Sequence, residues 1–173
     1  MTAAKVTHTA VLSSQAVYVR NYLLEQTTAK DSQDVLRNAL RLHTTAIRGH
    51  KKKSNLFSSR DGKTPFPIHL LAPRTQVRLP PEADLLQPVT FTMDVAVGTT
   101  TESFDELFKF AETDDISVVI ENALFFHYDL IQRENDGEHF FVRGAQDRKL
   151  HPVSLFASKS HNDDGDEPDG PAA

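Results

Sequence analysis

"VLRNALRLH", from Val35 to His43, returns 84 residues later as "VIENALFFH", from Val119 to His127. The flanks decide whether this is a true repeat. "KVTHT" (Lys5–Thr9) matches "PVTFT" (Pro88–Thr92) at a shift of 83. Val19, Tyr22 and Leu23 match Phe104, Leu107 and Phe108 at 85, and Ile47 matches Ile131 at 84, as does Leu56–Phe57 with Phe140–Phe141. Colinear matches with slips of one or two residues describe a duplicated unit with small loop insertions, and a repeat of this kind governs any reading of the fold.

Each unit opens on a strand. In Lys5–Val11 the side chains of Val6, His8 and Ala10 alternate with Lys5, Thr7 and Thr9. Val89, Phe91 and Met93 alternate with Thr90, Thr92 and Asp94 in the same way, and period two with β-branched residues marks a strand. A helix follows in each unit. It runs through Val19, Tyr22 and Leu23 after a capping Ser13 or Ser14, and through Phe104, Leu107, Phe108 and Ala111 after Thr99–Thr101. The quoted stretches then form a second helix. Leu36, Leu40, His43 and Ile47 make one apolar stripe, and Ile120, Leu124, His127 and Ile131 make its twin. Asp31 and Asp115 stand at the N-cap positions.

Beyond the helices, "NLFSSRDGKTPFPIHLL" carries a turn signal at Asp61–Gly62, and "HFFVRGAQDRKLHPVSLF" follows Asp136–Gly137. Both read as β-hairpins. The organisation is thus a first unit at 1–71, a proline-rich linker at 72–87 expected to be extended, a second unit at 88–157, and an acidic tail at 158–173 with the composition of a disordered segment. The two units are expected to form one compact domain.

The formal net charge of −5 hides an imbalance. Residues 1–71 hold eleven Lys and Arg against four Asp and Glu, while residues 88–157 hold five against thirteen. The repeated helix shows the same divergence in a single position, Arg37 against Glu121. The chain has no cysteine and no apolar run long enough to span a membrane, so neither a disulfide framework nor a membrane partner is expected, and a cytoplasmic setting is. No nucleophile or glycine-rich loop accompanies the Asp and Glu pairs, so no enzyme, catalytic residue, cofactor or metal is expected.

One strand and two short helices cannot bury a core alone, whereas two copies can, by pairing their strands and packing four helices behind them. The segments "PVTFTMDVA", "SFDELFKFAETDDIS" and "VVIENALFFHYDLIQRENDG", with "SQDVLRNAL" in the first unit, resemble the ribbon-helix-helix superfamily, the MetJ, Arc and CopG kind of β-ribbon reader. The resemblance covers about residues 5–50 and 88–135. It implies an α+β fold of duplicated β-α-α (ribbon-helix-helix) units that pair their strands within one chain, each followed by a β-hairpin. Such a chain looks like a monomeric pseudo-dimer, similar to conjugation accessory proteins of the TraY type, able to assemble further on DNA.

The resemblance also implies a function: sequence-specific binding of double-stranded DNA, as a transcriptional regulator or a DNA-transfer accessory factor, with the ribbon in the major groove. By position, Lys5, Thr7, Thr9, Thr90, Thr92 and Asp94 would meet base edges, and the starts of the second helices would hold phosphates. Lys30, Asp31 and Ser32 stand there in the first unit, and Asp114, Asp115 and Ile116 in the second. Lys51, Lys52 and Lys53 would reach phosphates farther out. The carboxylates of the second unit oppose this role, because phosphate neutralisation dominates DNA affinity. The other reading is an interaction protein on the same scaffold, antitoxin-like or an antagonist whose acidic half imitates DNA and meets a protein partner. The ribbon threonines also suit a plain solvated strand face, and the lysine run suits a solvated helix end.

Overall fold

The structure, a computed structural model, describes residues 4–51, 56–68, 77–96, 99–144, 146–147 and 149–152. The chain is α+β, with four helices and two antiparallel sheets among those residues. The order is β1 (Lys5–Leu12), α1 (Ser14–Gln26), α2 (Ser32–Lys51), β2 (Leu56–Ser59), β3 (Phe66–Pro67), then β4 (Val89–Ala96), α3 (Thr99–Ala111), α4 (Ile116–Asn135), β5 (His139–Arg143) and β6 (Leu150–Pro152). The first three elements of each half have the same lengths, 8, 13 and 20 residues.

β1 and β4 pair antiparallel as a two-stranded ribbon, with Thr9 opposite Thr92 at its middle. The other strands form one sheet in the order β3-β2-β5-β6. The two hairpins are therefore joined edge to edge, with Phe57 opposite Phe141. The outer strands carry Pro67 and Pro152, opposite Phe57 and Phe141 respectively. Proline has no N–H to donate, so it suits such edge positions. Gly62 and Gly137 take positive φ at the turns flagged by Asp61–Gly62 and Asp136–Gly137.

The helices supply most of the core. Ser13 caps α1, its hydroxyl accepting from Ala16 N at 3.3 Å, and Ala16, Val17, Val19 and Leu23 are buried beneath. Asp31 caps α2 through Asp34 N at 2.8 Å, and Asp115 caps α4 through Ser117 N at 2.8 Å. All eight residues of the twin stripes are buried. α4 is the more enclosed of the pair, since Phe125, Phe126 and Tyr128 are buried as well. Tyr128 meets Tyr22 edge-on at 4.9 Å. Arg133, near the end of α4, ties the helix to the second sheet: it donates to Ser58 Oγ at 2.7 Å and to Glu138.

The linker corrects one expectation. It is not simply extended: Pro81–Leu85 form a short 3-10 turn with Ala83 fully buried, and Gln15 of α1 donates to Asp84 at 2.8 Å. Proline at the start of the turn has the right φ and no N–H to lose, and the apolar Val77, Leu79, Ala83 and Leu86 gain more by packing than by staying in water. The tail at 158–173 lies outside the described residues. No helix among the described residues is long and apolar enough to cross a membrane.

Candidate nucleic-acid interface

The ribbon has two unlike faces because successive side chains of a strand point to opposite sides. Ala10 and Leu12 are buried, and Val89, Phe91 and Met93 are half-buried against the core. His8 belongs to this inner face and stacks on Phe104 of α3 at 5.7 Å. The outer face carries Lys5, Thr7, Thr9 and Val11 from β1 and Thr90, Thr92 and Asp94 from β4, all exposed. All six side chains expected to meet base edges therefore share one open surface.

The register arranges them in cross-strand pairs: Thr7 with Asp94, Thr9 with Thr92, Val11 with Thr90. Thr7 Oγ1 donates to Asp94 Oδ1 at 2.8 Å, which engages one oxygen of the exposed carboxylate. Outward side chains on one strand repeat about every 6.8 Å, close to two base-pair steps, and a two-stranded ribbon fits the width of the major groove.

The starts of the two long helices differ in charge. At α2, Lys30 is exposed and Ser32 half-buried. Asp34 accepts from Lys30 N at 3.3 Å and pairs with Arg37 at 2.6 Å, so the basic and acidic groups there balance. At α4, Asp114 and Asp115 are exposed and the first turn brings no cation to offset them. This end touches the ribbon, with Val11 N donating to Ser117 Oγ at 2.9 Å. In both helices an amide of the first turn already donates to the capping carboxylate, which leaves a poorer seat for phosphate than a helix start with a neutral cap. Only the backbone of Lys51 is described, and Lys52 and Lys53 lie outside the described residues.

Two participants are absent from the sequence-level set. Val11 continues the alternation of Lys5, Thr7 and Thr9, so its outward position was legible there. Glu121 was not. Its carboxylate is buried, 5% exposed, and accepts from Ser13 N at 2.8 Å, holding the turn between β1 and α1. Its counterpart Arg37 points to solvent. The opening substitution thus separates a surface cation from a buried acceptor.

His43 and His127 are both buried in the helical layer, and burial pushes each imidazole down to about 4. His43 stacks on Phe126 at 5.2 Å and meets Phe110 edge-on at 5.8 Å. Among the described residues no three His, Asp or Glu side chains converge as metal ligands. Comparison with protein families, curated proteins and solved structures returned no match for this chain.

Proposed function

We propose that the protein binds double-stranded DNA in a sequence-dependent way, laying the β1–β4 ribbon in the major groove on a single-chain, duplicated ribbon-helix-helix scaffold. The observation that carries this reading is the outer face of the ribbon, where four threonines, a lysine and an aspartate stand exposed in register. Threonine offers a methyl to thymine and a hydroxyl to base edges, lysine donates to guanine, and aspartate accepts from cytosine. The positive charge is lopsided: Lys5 and Lys30 supply it, and the acidic start of α4 does not. A transcriptional regulator or a DNA-transfer accessory factor would work through such a surface.

Binding assays on a preferred duplex and on random duplex test the proposal. Thr7→Ala and Thr92→Ala are expected to weaken the preferred site more than random DNA, because base contacts carry sequence information. Lys30→Ala is expected to weaken both about equally. Equal loss on both duplexes for the threonine variants would remove the ribbon as the reader.

A second reading is favoured by one feature. Asp105, Glu112 and Asp114 outnumber the cation Lys109 around an open hollow of about 620 Å³ with Phe108 in its wall. That combination suits a basic, partly apolar segment of a protein partner. Under this reading Asp114→Asn with Asp115→Asn releases a partner, and none of the ribbon variants has an effect.

A further inference from the structure

We infer that the duplex site preferred by this protein is not a palindrome, and that it joins a G·C-selecting half to a thymine-selecting half. The inference rests on the DNA-binding reading above and concerns which DNA that surface would take. It starts from the pairing register. In the repeat alignment Thr7 corresponds to Thr90, Thr9 to Thr92, Val11 to Asp94 and Lys5 to Pro88. Thr9 and Thr92 face each other, so the local two-fold axis of the ribbon passes between them. A ribbon with identical strands would present the same side chains at both ends and select a self-complementary site.

This ribbon does not. One end presents Lys5, Thr7 and Asp94, all exposed, with Thr7 donating to Asp94 Oδ1. A cation beside a carboxylate complements a G·C pair, whose major-groove edge offers the guanine O6 and N7 acceptors and the cytosine amino donor. The other end presents Val11, 50% exposed, opposite Thr90. Both side chains offer methyl groups to the thymine methyl, and with valine in the place of Asp94 this end lacks the carboxylate that would accept from cytosine, leaving the Thr90 hydroxyl as its one hydrogen-bonding side chain. The central Thr9–Thr92 pair is common to both halves and is indifferent to the distinction.

The flanks reinforce the asymmetry. The Val11 end abuts the start of α4 through Val11 N and Ser117 Oγ, and there Asp114 and Asp115 repel phosphate. The thymine-selecting half therefore depends on groove contact with little backbone help, and loss of a single methyl should be felt there.

Selection of bound duplexes from a random library by the full-length protein tests the inference. The expected result is a core without internal symmetry, G·C-rich on one side and rich in A·T pairs on the other. Replacing thymine by uracil should weaken binding about fourfold in the second half, the equivalent of one buried methyl, and leave the first half unchanged. Asp94→Ala should erase the preference on the G·C side alone. Val11→Asp gives β1 the outward residue of β4 and should turn the selected core towards a palindrome. All of these positions are exposed, and thermal melts confirm that each variant is folded. A wild-type core with two equal half-sites, or an unchanged core in Asp94→Ala, overturns the inference while leaving DNA binding in place. No enrichment over the input library overturns the DNA-binding reading itself.

Discussion

Thr9 lies directly opposite Thr92 in the ribbon, and the two residues hold the same place in the two halves of the chain. The relationship recurs in the second sheet, where Phe57 faces its counterpart Phe141. Both sheets are thus centred on a pair of matching residues, and the long helices α2 and α4 pack against each other. Departures from this symmetry fall into two kinds. Some, like Glu121, serve the fold. Others, like Asp94 and Val11, alter only the exposed surface.

The twin stripes of α2 and α4 yield the first prediction. Leu124 is fully buried and Leu40 nearly so. Truncating either to alanine removes buried methyl groups and leaves a cavity, at a cost of roughly 2–5 kcal/mol, with Leu124→Ala towards the upper end. Urea melts of the two variants measure this directly. A negligible loss in both would show that these helices do not share a packed core.

Glu121 and Arg37 occupy matching positions with opposite consequences. Glu121→Ala strips the Ser13 amide of its acceptor in a half-buried turn, and about 1–3 kcal/mol of stability should go with it. Glu121→Gln keeps an oxygen at the site and should lose less. Arg37→Ala removes an exposed ion pair with Asp34 and should change stability by less than about 0.5 kcal/mol. Equal effects at the two positions would refute the assignment of Glu121 to the turn.

The buried histidines make stability depend on pH. In the folded chain His43 and His127 titrate near 4, against 6.5 for a free imidazole. The unfolded chain therefore takes up protons first as the pH falls, and stability declines below about 6.5 until the folded form also protonates near 4. From pH 7 to pH 5 each histidine accounts for a loss of about 2 kcal/mol. Above pH 7 the contribution is flat. Denaturant melts across this range should show the decline in the wild type and a shallower one in His43→Leu. An identical pH profile in that variant would mean that His43 is not the group concerned.

Much of this architecture was legible in local patterns. Alternation in Lys5–Val11 and in Val89–Asp94 marks the strands and already separates an inner from an outer face. The spacing of Leu36, Leu40, His43 and Ile47 marks a helix stripe, and Asp31 marks its cap. The remainder depends on partners distant in the chain. Nothing near Phe57 indicates that it pairs with Phe141 rather than ending a free hairpin. Nothing near Glu121 distinguishes a solvated carboxylate from one that holds Ser13. The linker misled for a similar reason: prolines at 80 and 81 suggest an extended chain, while the burial of Ala83 depends on a surface of α1 that lies more than fifty residues earlier. For the candidate site, the six outward residues followed from alternation and the acidic start of α4 from Asp114 and Asp115, whereas the neutralising of Arg37 by Asp34 at the start of α2 emerged only in the fold.

Salt dependence of binding to random duplex DNA tests the central claim most directly, because each phosphate contact displaces counterions whatever the sequence. With Lys5 and Lys30 as the cations brought to the duplex, the logarithm of the association constant should fall with the logarithm of salt concentration at a slope of roughly −2, or steeper if the lysine run at 51–53 takes part. Lys30→Ala should reduce that slope by about one unit. A slope near zero, or no binding at low salt, would contradict the account and leave the ribbon as a surface for a protein partner.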